Sequence, residues 1–280
     1  MILATIILLI AQGPNGGVTP QQQIDLAPPG AVLRIAARGE SITIRKPLTL
    51  LGEGDFAPGS LQDITLDGPG TGDVSLVGFS VQGGIKGGGF SEVRLERILH
   101  APDGVNVEGV HYLELAWCHL YAVRATSSTV VSSGTTWLGQ AAPQMEAAEF
   151  YGYGAQPFVV NAPVYRAGVQ DVYVSQPVRW GNSFDVAWRT PGPYGFLYVS
   201  MSGSRSPEPM PGANFGRNHL GTWPGVELLA IDRCSPDLNL PAGRYTFDLP
   251  PDRSLMGRQL AFQVYDPPGY YSAPAFVTIR

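Results

Sequence analysis

Apolar residues fall into short alternating runs that recur along the first half of the chain. Asp73–Phe79 (DVSLVGF), Glu92–Ile98 (EVRLERI) and Tyr112–Cys118 (YLELAWC) align without gaps. Val74, Val93 and Leu113 then correspond, as do Leu76, Leu95 and Leu115, and Phe79, Ile98 and Cys118, at spacings of 19 and 20 residues. A second run follows in step at Gly84–Ile85, Gly104–Val107 and Ala122–Val123. Alternation of apolar and polar residues over a few positions marks a strand with one buried face. Such strands, turned by glycine and repeating about every 20 residues, describe successive coils of a solenoid. Ala31–Ile35, Ser41–Ile44, Leu48–Leu51 and Ile64–Leu66 continue the texture upstream, so the solenoid is expected over 25–176.

Near Pro177 the pattern lengthens. Phe184–Trp188, Phe196–Ser202, Gly225–Ile231, Arg244–Leu249, Gln259–Tyr265 and Ala275–Ile279 read as strands separated by Gly/Pro turns such as Pro191–Pro193 and Asp266–Gly269. Six or seven strands in about 100 residues predict an antiparallel β-sandwich over 177–280. At the other end, Met1–Ala11 (MILATIILLIA) is an unbroken apolar run. It is too short for a span, which needs about 20 residues, and has the length of a signal-peptide core. Residues 1–12 are therefore expected to direct export to the cell surface or beyond, although no Lys or Arg precedes the run. A buried first strand or a cap helix is the alternative.

Pro29–Ile35 followed by Ile42–Gly52 resembles the opening coil of right-handed parallel β-helix proteins, the superfamily of pectate lyases, pectin methylesterases and periplasmic NosD-type proteins. Val74–Val81 and Gly104–Gly109 are similar to its later coils, and the likeness covers roughly residues 25 to 175. It implies an all-β fold, a short right-handed parallel β-helix followed by the sandwich. The latter resembles C-terminal modules of secreted bacterial proteins. The likeness implies little about chemistry, because stacking sets the repeat. The methylesterase Gln-Asp-Arg set has no counterpart: Phe150–Gly154 resembles part of such a motif but carries no acid.

Composition sharpens the fold and narrows function. Gly (35) and Pro (25) make up about a fifth of the 280 residues, which excludes a helical bundle. A net charge of -5 argues against nucleic acid, whose phosphates require a basic face. Cys118 and Cys234 lie in different expected domains and are not expected to pair; no spacing of Cys and His suggests zinc.

If Leu76 and its counterparts point inward, Ser75, Arg94 and Glu114 form one outward column and Gly78, Arg97 and Trp117 another. Coils stack about 4.8 Å apart, so Arg94 is placed to reach Glu114 and Arg97 to lie over Trp117. One reading is an arginine that engages a uronate sugar; the plainer one is a surface ion pair and a cation–π stack, each worth about 1 kcal/mol or less. Asp63, Asp67, Asp73, Asp103 and Glu108 invite a calcium site or a pair of catalytic carboxylates. Asp67–Gly70 and Pro102–Gly104 are equally turn sequences, in which Asp caps the bend. Asp67, Asp73, Arg94, Arg97 and Asp103 are thus the weak catalytic candidates, with calcium implied only for a lyase and no other cofactor or metal. His100, His111 and His119 are close in sequence, but the coil alignment sets His119 beside Leu99 and His100 beside Leu120, so they do not converge.

Residues 180–280 hold 15 of the 28 aromatics. Trp180, Trp188, Tyr194, Tyr198, Trp223, Tyr265, Tyr270 and Tyr271 include turn positions, and exposed rings stack on sugars. Trp223, Tyr270 and Tyr271 are the expected ligand contacts; Trp188 alternates with Phe184 and Val186 on a core face. The reading is a secreted or cell-surface protein that binds a polysaccharide or cell-envelope glycan without catalysis. The rival is a lyase or hydrolase acting on an acidic glycan, and the plainest alternative is a structural surface protein.

Overall fold

The computed structural model describes residues 18–53, 59–139, 144–168, 171–190, 194–201, 220, 226–233, 243–266 and 270–280. The chain divides into two compact units, Met1–Arg166 and Ala167–Arg280. The first is a parallel β-solenoid of about six turns. The second is built from antiparallel sheets. The short strand Val172–Val174, ahead of Pro177, pairs with Ser183–Trp188 inside the second unit.

Three walls make up the solenoid. The first stacks Ala31–Ile35, Leu48–Gly52, Asp73–Val77, Glu92–Glu96 and Tyr112–Ala116 in parallel. Its register is the one expected: Val74 lies beside Val93 and Leu76 beside Leu95, then Val93 beside Leu113 and Leu95 beside Leu115. The second wall carries the short strands Phe79–Val81, Leu99–His100, His119–Leu120 and Thr136–Trp137. The third contains Ile85–Gly88 and Val105–Glu108, and the long strands Val123–Ser133 and Met145–Tyr153 bend from the third wall into the first. Leu50, Leu76, Leu95, Leu115, Val130 and Phe150 fill one continuous core with Ile64, Ile85, Val105 and Val123. Each coil buries its apolar face only against its neighbours, which is why the sequence repeats at the coil length.

Where the first wall turns into the second, Gly78, Arg97, Trp117 and Gly134 stack with left-handed backbones, φ 73°, 53°, 55° and 64°. The N–H of each donates to the next coil, Gly78 to the Glu96 carbonyl, Arg97 to Ala116, Trp117 to Ser133 and Gly134 to Tyr153, at 2.9–3.2 Å. This ladder offsets the conformational cost at Arg97 and Trp117. Gly134 has a second reason to be glycine, since a Cβ there would strike the Trp117 ring.

The first coil is capped by the helix Pro20–Leu26. Thr19 accepts from Gln22 N–H and the Gln22 side chain accepts from Thr19 N–H, a complete capping box. Ile24 enters the core. The Gln21 amide accepts from Thr43 N–H at 2.7 Å and donates to the Thr43 carbonyl at 3.0 Å. One side chain thereby occupies the strand edge that a preceding coil would otherwise cover.

Cys118 is a free thiol buried in this core. Its sulfur donates toward the Leu95 carbonyl at 3.2 Å, and burial pushes the thiol pKa up to about 12. Thiolate is the reactive form, so native Cys118 is expected to resist iodoacetamide at pH 8 and to label fully in guanidinium. Peptide mass analysis reads both states; equal labelling in the two would contradict its burial.

In the second unit, Val172–Val174, Ser183–Trp188 and Gly243–Asp248 form one sheet, and Val226–Arg233, Tyr194–Ser200, Gln259–Asp266, Tyr270–Tyr271 and Ala275–Thr278 form the other. Phe184 stacks on Phe247 at 5.2 Å within the first sheet, and both meet Phe262 of the second edge-on at 5.9 and 6.1 Å. These rings join the two layers of a β-sandwich. Among the described residues no helix is long and apolar enough to cross a membrane.

Candidate functional site

Each solenoid wall presents an outward ladder of side chains in register, one rung per coil. The three ladders differ in kind.

On the first wall the outward positions run Thr49, Ser75, Arg94, Glu114, Val131 and Tyr151, flanked by Asp73, Glu92 and Tyr112 on one side and Val77, Glu96 and Ala116 on the other. The expected surface ion pair is corrected here. Glu92, Glu96 and Glu114 are each only 2% exposed, and Tyr112, Tyr151 and Tyr153 are buried with them. The acids and the phenols of this wall are thus buried together, out of water. Arg94 donates to Glu92 on its own strand at 2.8 Å, while Glu114 on the next coil acts on it through charge. Burial lowers the Arg94 guanidinium pKa, but attraction to Glu114 and Glu92 outweighs that and raises it. Burial first, then Glu114, holds the Tyr112 phenol well above its usual range. Arg97 and Trp117 are neighbouring rungs of the left-handed corner.

The third wall is solvent-facing. Thr43, Thr65, Lys86, Asn106, Arg124, Glu146 and Asn161 stand in register along it. Lys86, Asn106, Arg124 and Asn161 are exposed. Arg124 pairs with Glu146 at 2.7 Å.

The second wall holds a groove of about 210 Å³ lined by Ser80, Val81, Gln82, His100, Pro102 and Tyr121. At its centre the backbone departs from the repeat. His100 pairs in register with Val81, an inward position that Val81 and Leu120 fill with buried aliphatic side chains. A histidine there would bury its imidazole. Instead His100 adopts φ 74° and Ala101 φ 45°; His100 is exposed, and Ala101 is fully buried. The corner continues the stack through Ala101 N–H donating to the Val81 carbonyl at 2.8 Å. Left-handed backbone at non-glycine residues costs about 1–3 kcal/mol each and concentrates at functional sites. Gln82 is held from below, donating to the Ser60 hydroxyl at 2.8 Å. From the sequence, Pro102 falls in a turn and His100 beside Leu120, and Tyr121 is passed over. The signal that marks them is a histidine where the column calls for Val or Leu.

The acidic candidates do not converge. Asp67 is exposed and faces Arg45 at 3.3 Å. Asp73 is half-buried beside Glu92. Asp103 is exposed at the turn before Val105, its N–H donating to the Gly83 carbonyl. Asp63 accepts from Gly84 N–H, 21 residues on in the next coil, at 3.1 Å. His119 lies beside Leu99. Among the described residues no three His, Cys, Asp or Glu side chains are grouped to hold a metal.

In the sandwich, Trp188 is fully buried. Trp223 lies outside the described residues; Tyr270 and Tyr271 form a strand opposite Asp266 and Tyr265, and only their backbone is described. Tyr194 is exposed, and Trp180 is half-buried with the Arg253 guanidinium 5.3 Å from its ring. The outward face of the smaller sheet is polar. Asp185 accepts from Arg244 and Thr246, and these hydrogen bonds lower its carboxyl pKa.

No family model, curated protein or solved structure matches the chain.

Proposed function

We propose that the protein binds a polysaccharide or cell-envelope glycan without transforming it, as an exported adhesion or surface-binding protein. The exposed ladder on the third wall carries this reading. Its hydroxyl, amide and charged rungs repeat at the coil spacing, about 4.8 Å, over a surface with no enclosing walls. A repeating polymer matches repeating donors and acceptors on such a face, whereas small-molecule sites are concave and typically about 300–1,000 Å³. The likeness of Pro29–Gly52 and Val74–Val81 to the pectate lyase-like superfamily supports a sugar ligand. So does the concentration of aromatics in the sandwich, with Trp223, Tyr270 and Tyr271 as contacts there. The apolar run Met1–Ala11 supports export.

Purified full-length protein, incubated with a panel of neutral and acidic polysaccharides, is expected to be retained by at least one and to release no unsaturated or reducing product. Product release would favour the lyase or hydrolase. Absence of retention on every member would overturn the binding reading.

A further inference from the structure

We infer that the second-wall groove is a subsite for one neutral pyranose ring of the bound polymer, an inference that rests on the polysaccharide reading above. A pyranose presents an apolar face and a rim of hydroxyls, each both donor and acceptor. The groove offers the complement of both. Tyr121 and Pro102 supply flat apolar surface, and Ser80, Gln82 and His100 supply a hydroxyl, an amide and an imidazole, groups that can each donate and accept. Its volume, about 210 Å³, suits a single ring and leaves the rest of a chain outside, as an open exterior groove requires.

One polar group, the Gln82 amide, is fixed before any ligand arrives, and the backbone sets the side on which a second, the His100 imidazole, lies. Ser60 anchors the Gln82 amide. The left-handed backbone at His100 and Ala101 turns the imidazole out of the core and puts the small alanine inside. Fixed groups lose less freedom on binding, which gives the strained corner a purpose that packing alone does not: a valine at 100 would continue the column with no such backbone. Among the described residues no Asp, Glu, Lys or Arg lines the groove. A uronate carboxylate buried there would shed water without gaining a cation, so the site selects an uncharged sugar.

The test is affinity electrophoresis of the full chain through gels containing a soluble β-glucan, galactomannan, dextran or polygalacturonate. At least one neutral gel is expected to retard the wild type. Gln82→Ala and His100→Gly should each weaken that retardation about tenfold, the scale of truncating one anchoring group. Tyr121→Ala should weaken it at least as much. Gln82 is exposed and glycine suits φ 74°, so the first two variants should keep or raise the thermal midpoint, and their loss of binding cannot be ascribed to unfolding. Variants retarded like the wild type would overturn the subsite and leave the polysaccharide reading standing. Retardation by polygalacturonate alone would overturn the neutral-sugar assignment. No retardation in any gel would overturn the underlying reading and the subsite with it.

Discussion

Trp188→Ala is expected to destabilise the sandwich by about 3–5 kcal/mol, the cost of emptying a large aromatic site. The ring is fully buried and lies between Gly195 of the larger sheet and Gly243 of the smaller one, where a Cβ on either glycine would run into it. Two neighbours without side chains make the site fit an indole and little else, so nothing adjacent can collapse into the space. The indole N–H is buried without a hydrogen-bond partner among the described residues, which carries its own desolvation cost. Trp188→Phe removes that cost while losing part of the volume, so it should lose far less stability than the alanine variant. Urea titration of both variants separates the terms. An alanine variant within about 1 kcal/mol of the wild type would show that the ring does not hold the two layers together.

The solenoid register was legible because inward positions obey two rules at once, alternation within a strand and recurrence at the coil length. A one-residue slip would violate both. Val74, Val93 and Leu113 satisfy them and pair as expected. Outward positions obey neither rule, and there the reading went astray. Arg94 and Glu114 read as a surface ion pair, because strand alternation gives the direction of a side chain and not its burial, and Glu114 is only 2% exposed. The partner of Arg94 followed the same logic: stacking predicted Glu114, whereas the hydrogen bond runs to Glu92 along the strand. The groove was hidden for the opposite reason. His100 breaks the inward column, and when the backbone at His100 and Ala101 absorbs the break, the histidine becomes a groove wall.

Leu95→Ala is expected to cost about 2–5 kcal/mol, and it bears on every outward ladder described above. Leu95 is fully buried between Leu76 of the preceding coil and Leu115 of the next. Both neighbours are themselves pinned by interstrand hydrogen bonds, so the stack cannot close over the cavity. Leu99 lies in the same coil but on the outward column of the second wall, half-buried between Ser80 and His119. Leu99→Ala removes the same atoms from a partly solvated site and should cost well under half as much. The pair compares one chemical change at an inward and an outward rung of a single coil, read as the shift in urea midpoint at constant slope. Equal losses would mean that Leu95 does not face the core. In that register Arg94 and Glu96 would point inward, and the charged ladder on the first wall could not exist.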